Sequence, residues 1–291
     1  MKIIEKLGGA QPAFSFELFP PKDADGVSRL FDTVSTLGRF DPAYVSVTWG
    51  AGGSTRQLTV ELVRRIQAEA GIDTMAHLTC VGATRDELRR VLDQFAAAGI
   101  RNVLPLRGDP PKGEREFRVV GDGFAFAAQL VAFIRAEYGN HFCLAAAAYP
   151  EKHLEAADAE TDLLHLRDKV NAGVDFLITQ LFFDNRDYLD FVARARGVGI
   201  DRPIIPGIMP ITNLGQIKRF TAMCGAKIPA VLLERLEAAE GSEGDVTEIG
   251  VAHATAQCRE LLACGAPGIH FYTLNRSPAT ARVLDALRST S

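Results

Sequence analysis

Short apolar runs alternate with longer amphipathic stretches from one end of this chain to the other, and that alternation limits its fold more tightly than any other feature. Eight runs read as strands: Phe14–Leu18, Tyr44–Thr48, Met75–Thr79, Asn102–Leu106, Phe142–Ala148, Phe176–Leu181, Ile204–Ile208 and Gly268–Tyr272. Between them lie helical stretches such as Thr59–Glu69, Arg85–Ala98 and Asp187–Arg194. In the clearest of these, Leu88, Val91, Leu92 and Phe95 share one face at three- and four-residue spacing. Strands that are mostly apolar and separated by helices pair in parallel, with both faces covered. Eight strand-then-helix units in 291 residues predict a (β/α)8 TIM barrel, α/β in class, as a single domain over residues 1–291. An open doubly wound sheet is the alternative. The polar connection Lys112–Gly123 and the charged stretch Glu234–Glu248, read as a solvated helix and loop, do not mark a domain boundary, and no internal repeat or linker interrupts the pattern.

Charge and cysteine content narrow the function classes. Lys and Arg total 32 against 36 Asp and Glu, a formal charge of -4, which speaks against a nucleic-acid groove. The longest apolar run, Phe142–Tyr149, falls far short of the ~20 residues that span a bilayer. The opening MKIIEKLGG sets Glu5 and Lys6 where a signal peptide has its apolar stretch, so a cytoplasmic protein with no membrane partner is expected. Cys80, Cys143, Cys224, Cys258 and Cys264 form no CxxC pair and no Cys/His spacing of a zinc site, so reduced core thiols and no metal are expected.

In a barrel of this kind, active groups stand at the C-terminal ends of strands and in the loops beyond. The first run ends Ser15-Phe16-Glu17-Leu18-Phe19. If Phe16 and Leu18 pack on helices, period-two alternation turns Glu17 inward near the mouth. Among Phe14, Phe16 and Phe19, its carboxyl is expected to be desolvated and raised in pKa, as suits a general acid; a strand-end carboxylate meeting water is the other reading. The turn Trp49–Thr55 is glycine-rich enough to seat a phosphate but lacks the third glycine of the dinucleotide fingerprint. His77 closes the third run, as a ligand contact or a loop partner. Arg107 suits an anion, and Asp109 suits positive charge on a bound ring. The later runs lead into Tyr149-Pro150-Glu151-Lys152-His153, into Thr179-Gln180, and into Tyr272 through Arg276, while Asp162, Arg167 and Lys169 follow on a helix. Each of these groups alone has a solvated or capping role as its alternative; together, their convergence on one mouth favours an enzyme.

At these same residues the chain resembles the methylenetetrahydrofolate reductase family, in its short bacterial form. The matching stretches, in family order, are FSFELFPPK, YVSVTWGAGGSTR, AHLTC, LRGDPP, AAYPEKH, DLLHLRDKVNAGVDFLITQLFFD, IIPGIMPITNLGQIKRF and HFYTLNR. The resemblance implies a barrel that binds FAD and reduces 5,10-methylenetetrahydrofolate to 5-methyltetrahydrofolate in a ping-pong reaction that feeds methionine synthesis. NADH or NADPH is the hydride donor. It implies Glu17 as the general acid at the folate N10 and Asp109 as the carboxylate beside flavin and pterin. Gln180, Gln216, Phe220, Tyr272 and Arg276 are implied as substrate contacts. For FAD it implies Thr48, His77, Arg107, Gly108, Asp109, Ala127, Tyr149, His153, Asp162 and Lys169, with Arg107, His153 and Lys169 offsetting pyrophosphate charge.

Three positions depart from the family pattern. Phe126 stands where Tyr is frequent, and His165 and Asp168 replace an Asn and a basic residue on the flavin-binding helix. Phe126 and His165 keep their places among the cofactor contacts, and Asp168 is expected to weaken FAD retention. With the sequence running only a short way past Arg276, no regulatory C-terminal domain like that of eukaryotic relatives is expected, and the family implies a homo-oligomer. Two other readings stay open. One is a barrel that binds folate or flavin without turning it over. The other is a Schiff-base aldolase, disfavoured because none of the eight runs contains a lysine.

Overall fold

The computed structural model describes residues 1–9, 11–49, 53–109 and 117–289. Its strands are β1 (Ala13–Leu18), β2 (Tyr44–Val47), β3 (Thr74–Thr79), β4 (Asn102–Leu106), β5 (Cys143–Ala148), β6 (Phe176–Thr179), β7 (Ile204–Ile205), β8 (Gly207–Ile208) and β9 (Gly268–Tyr272). The helices of the described residues are α1 (Ala24–Gly38), α2 (Gly53–Ala70), α3 (Arg85–Ala97), α4 (Ala127–Tyr138), α5 (Ala159–Asn171), α6 (Asn185–Gly197), α7 (Leu214–Cys224), α8 (Ala230–Ala238), α9 (Glu243–Ala263) and α10 (Pro278–Arg288), one after each strand but for β7, which runs on into β8, and the three successive helices α7–α9. The sheet is parallel throughout and runs β7-β6-β5-β4-β3-β2-β1-β9-β8. Its two end strands are therefore successive pieces of chain, parted only by Pro206. The sheet closes on itself, which makes the architecture a (β/α)8 barrel and excludes the open doubly wound alternative.

The expected seventh run, Ile204–Ile208, is thus two short strands, because Pro206 has no N–H to give to the ladder. Its carbonyl still accepts the His270 N–H at 2.9 Å, and the Gly207 N–H turns to the Thr179 hydroxyl at 2.9 Å. Gly207 is required at this seam: a Cβ there would run into the Thr179 carbonyl oxygen and lie 2.6 Å from Cε2 of Tyr272. Thr48 and Gln180, read as strand residues, sit one place beyond β2 and β6. Each still makes a last ladder bond, from Thr48 N–H to Leu18 O (2.9 Å) and from Gln180 N–H to Ala148 O (2.7 Å).

Alternation along the strands divides the core. Phe16, Leu18, Val45 and Val47 pack outward against Leu30, Val34, Leu62 and Ile66 of α1 and α2. Inside the barrel, the floor is apolar, built from Tyr44, Met75, Leu104, Cys143, Phe176 and Ile205. A short 3-10 turn, Ile3–Glu5, closes this floor from below by inserting the fully buried Ile3. Asn102 holds the turn: its Oδ1 accepts the Ile3 N–H at 2.8 Å, and its amide donates to the carbonyls of Met1 (3.1 Å) and Thr74 (3.0 Å). The amino terminus and Lys6 both pair with Asp73, at 2.6 and 2.7 Å. A third cluster, with Leu181, Met209, Ile217 and Leu236, lies beneath α7, α8 and α9.

The helices start where their caps direct. Thr84 and Glu87 form a reciprocal capping box at α3, and the side chains of Asp158 and Asn213 cap α5 and α7. The stretch Glu234–Glu248 spans the end of α8 and the start of α9, with Leu236 fully buried. Of the cysteines, Cys80, Cys143 and Cys258 are core residues as expected, whereas Cys224 is half-buried and Cys264 exposed. No helix among the described residues is long and apolar enough to cross a membrane.

Candidate active site

Above the apolar floor, the barrel interior turns polar. Phe16 and Leu18 do pack on helices, and Glu17 accordingly points inward, its side chain 22% exposed through the mouth. Its neighbours are two buried imidazoles: Oε2 lies 3.5 Å from Nε2 of His77 on β3 and 3.7 Å from Nε2 of His270 on β9. The Nδ1 of His270 is 2.8 Å from the Ser15 hydroxyl, while neither Nε2 has a hydrogen-bond partner among the described residues. The ring of His270 stacks on Tyr44 at 5.8 Å.

This setting corrects the expected environment of Glu17. Burial pushes its carboxyl up, but polar contact with His270 and the charges that His77 and His270 carry when protonated bring it below the ordinary carboxylate value. Burial drives His77 the other way for a base, down to about 4, with Glu17 opposing the shift. The phenylalanines named from the sequence do not decide the matter, because Phe16 faces the helices and Phe19 is exposed.

A second group gathers around β4, β5 and α5. Arg107 donates from both terminal nitrogens to the Glu155 carboxylate, at 2.5 and 2.7 Å, and its guanidinium stands 5.3 Å from the Phe117 ring centre. Gly108 beside it has φ +85°, and a side chain there would meet Cγ1 of Val81 at 2.6 Å. Tyr149 and His153 meet edge to face at 4.7 Å. His153 is fixed twice, its N–H donating to Asp162 Oδ2 at 2.9 Å and its Nδ1 accepting the Glu155 N–H at 3.1 Å. Successive turns of α5 then carry Asp162, His165 and Lys169 along one cavity, with Tyr149, Glu151 and Arg194 also on its wall. Burial lowers the Lys169 ammonium to about 8, against the pull of Asp162, and among the described residues the one acceptor it reaches is Ala147 O at 3.1 Å. A half-buried cation with unused donors beside a cavity is the chemistry that receives an anion.

The rim beyond β9 is strained and held. Leu274 and Asn275 both adopt left-handed backbone, at φ 52° and 56°. The Asn275 side chain clasps Phe19, accepting its N–H at 2.9 Å and donating to its carbonyl at 2.8 Å. Arg276 follows, and with Asn213, Gln216, Arg219, Glu243 and Thr247 it surrounds a polar recess of about 600 Å³ at the start of α7.

Two such groups at the mouth of one parallel barrel set the comparison with known proteins. The family model for methylenetetrahydrofolate reductase matches residues 2–288. The chain belongs to the methylenetetrahydrofolate reductase family. Methylenetetrahydrofolate reductase (NADH) 1 of Arabidopsis thaliana is 41% identical over 297 residues, which cover 98% of this chain and 50% of that protein. Methylenetetrahydrofolate reductase 1 of Schizosaccharomyces pombe is 37% identical, covering 99% of this chain and 48% of its own. The chain thus spans about half the length of the curated relatives it matches. Among solved structures, an uncharacterized protein from Clostridium thermocellum that binds two copies of 5-methyl-5,6,7,8-tetrahydrofolic acid superposes with a TM-score of 0.67. The match covers 99% of this chain and 97% of that one; at 18% identity it speaks for the fold.

The positions expected for a methylenetetrahydrofolate reductase lie in several separate places. Glu17 and His77 share the interior layer with Tyr272, whose hydroxyl donates to Thr179 O at 2.7 Å. Arg107, Tyr149, His153, Asp162, His165 and Lys169 form the second group, with Asp109 exposed at its edge. Gln180 faces the recess between Tyr149 and Cys224, its own Oε1 taken by the Leu181 N–H at 2.9 Å. Gln216 and Arg276 border the polar recess, and Phe220 is half-buried on the α7–α9 cluster. Thr48 stands at the end of β2, where its carbonyl accepts the Thr59 hydroxyl at 3.2 Å. Phe126 is 62% exposed and Ala127 opens α4; no described contact ties either to the two groups. Asp168 lies off the α5 stripe, exposed, 3.6 Å from Arg167. Residues 50–52 of the glycine-rich turn and 110–116 of the polar connection lie outside the described residues. Among the described residues, no group of three or more His, Cys, Asp or Glu is arranged to hold a metal.

Two residues escaped the sequence reading. His270 was signalled, since it shares the inward face of its strand with Tyr272 at a spacing of two. Glu155 sits in an irregular loop and carries no periodic signal.

Proposed function

We propose that this chain reduces 5,10-methylenetetrahydrofolate to 5-methyltetrahydrofolate, with FAD as its bound cofactor and NADH or NADPH as the hydride donor. The observation that carries this reading is an inward carboxylate, Glu17, set in a polar layer at the mouth of a barrel of this family. The α5 cavity suits the cofactor. Lys169 and Arg107 bring positive charge to its pyrophosphate, Gly108 keeps the strand end low, and Tyr149 and His153 offer ring faces. When bound, the flavin supplies a hydride acceptor and donor between the two substrates.

The chain's own part is proton management and orientation. Glu17 gives a proton to the folate N10 as the five-membered ring opens, and Asp109 at the rim stabilises the cationic character that follows. In the open chain Glu17 is held low, so its acid form arises when a bound pterin shuts out the water reaching it through the mouth. With Oε1 of Gln180 taken by Leu181, its amide nitrogen is the group left to donate to a pterin or nicotinamide. Phe220 provides an aromatic face, and Gln216 and Arg276 meet the polar tail of the folate.

Separate half-reactions followed by flavin absorption test this. The parent is expected to be yellow, to bleach anaerobically with NADH or NADPH, and to regain colour on adding methylenetetrahydrofolate. Glu17→Gln should bleach like the parent but regain colour about 100-fold more slowly, the scale of a lost general acid. A protein that takes up no flavin overturns the reading, as does a Glu17→Gln that recolours at the parental rate; the latter outcome leaves a binding barrel without this chemistry.

A further inference from the structure

The fork of Arg107 is already filled. Both terminal nitrogens are spent on one carboxylate of the same chain, Glu155, and that carboxylate lies on the outer side: the Glu155 side chain is 58% exposed, that of Arg107 only 23%. The Phe117 ring lies beside the same guanidinium, its centre 5.3 Å from the central carbon. Glu155 is not placed by the ion pair alone, since its own N–H is anchored on His153 Nδ1 and His153 is anchored in turn on Asp162. Of the five donors of a planar guanidinium, Glu155 takes the end-on pair, an edge that carboxylate and phosphate oxygens fit alike.

We propose that Glu155 is a built-in competitor for the cofactor phosphates: it occupies Arg107 until a phosphate group displaces it, and so sets how tightly this chain holds its flavin. The proposal rests on the flavin reading above. No covalent step is involved, only the exchange of one anion for another at a fixed cation. Because the carboxylate is exposed and its loop irregular, it can leave without uncovering the core. Once displaced, it stays near the incoming negative charge, and that repulsion also counts against the bound state.

Flavin binding to the full chain, freed of flavin and read by quenching of flavin fluorescence, tests this without any turnover. Four proteins are compared: parent, Glu155→Gln, Arg107→Gln and the double variant. Glu155→Gln is expected to bind FAD about ten-fold more tightly, to bind riboflavin, which lacks phosphate, no differently, and to keep the parental melting temperature, as befits an exposed pair. In the Arg107→Gln background the Glu155→Gln gain should vanish. If the parent binds FAD and Glu155→Gln binds it equally or more weakly, Glu155 orients Arg107 or is idle, and the proposal is wrong. Equal tightening for riboflavin, or a gain that survives the loss of Arg107, also overturns it. No FAD binding by any of the four removes the flavin reading itself, and this proposal with it.

Discussion

His77 shows what one buried side chain does to the whole molecule's response to acid. Burial holds its folded pKa near 4, against an ordinary value near 6.5. As pH falls, the unfolded chain takes up this proton first. The stability contributed by neutral His77 is therefore complete above pH ~6.5 and is lost progressively down to pH ~4, worth up to about 3 kcal/mol. Glu17, held low, loses its own contribution in the same direction at lower pH. Urea unfolding of the parent should thus weaken steeply across that window, and His77→Gln should flatten the slope; an unchanged slope would locate the acid sensitivity elsewhere. Much of this was legible: alternation on β1 and the strand-end position of His77 placed both groups at the mouth. The direction of the Glu17 shift was not. Sequence neighbours proposed phenylalanines, whereas the groups that decide it come from β3 and from β9, about 250 residues away along the chain.

Among the elements, the 3-10 turn at Ile3–Glu5 depends most on a single partner. Three residues make no periodic pattern, so the sequence offered no sign that this segment closes the barrel from below. Asn102 does three jobs at once, and Asn102→Ala would orphan the buried Ile3 N–H and the Thr74 carbonyl. A loss of about 2–4 kcal/mol follows from stranding such groups. The melting temperature should fall by about 5–10 °C, and protease should reach the first residues of the variant sooner than those of the parent. A melting temperature equal to the parent's would show that Ile3 alone holds the turn. One helix, by contrast, was readable almost to its ends: α3 was expected at Arg85–Ala98 and runs Arg85–Ala97, because a capping box and a clean apolar stripe agree, whereas α2 and α6 extend beyond the expected Thr59–Glu69 and Asp187–Arg194. The loop carrying Glu155 was opaque for the opposite reason, having neither stripe nor alternation.

At the scale of the molecule, the eight apolar runs were enough to specify parallel strands alternating with helices, and their number favoured a barrel over the open doubly wound sheet that the same pattern allows. What they could not show was how the ring is joined. Pro206 divides the closing strand into two pieces of two residues, each bonded to a different neighbour, and the Gly207 amide leans on a side-chain hydroxyl in place of a ladder carbonyl. A closed ring has no frayed edge from which to begin opening, so it parts where the fewest backbone bonds cross. In amide hydrogen–deuterium exchange under native conditions, Ile205, Gly207 and Ile208 should therefore take up deuterium ahead of β1 and β3, despite being equally buried. That places the breathing of the barrel beside Tyr272 and Gln180, and a ligand bridging the seam there would slow it.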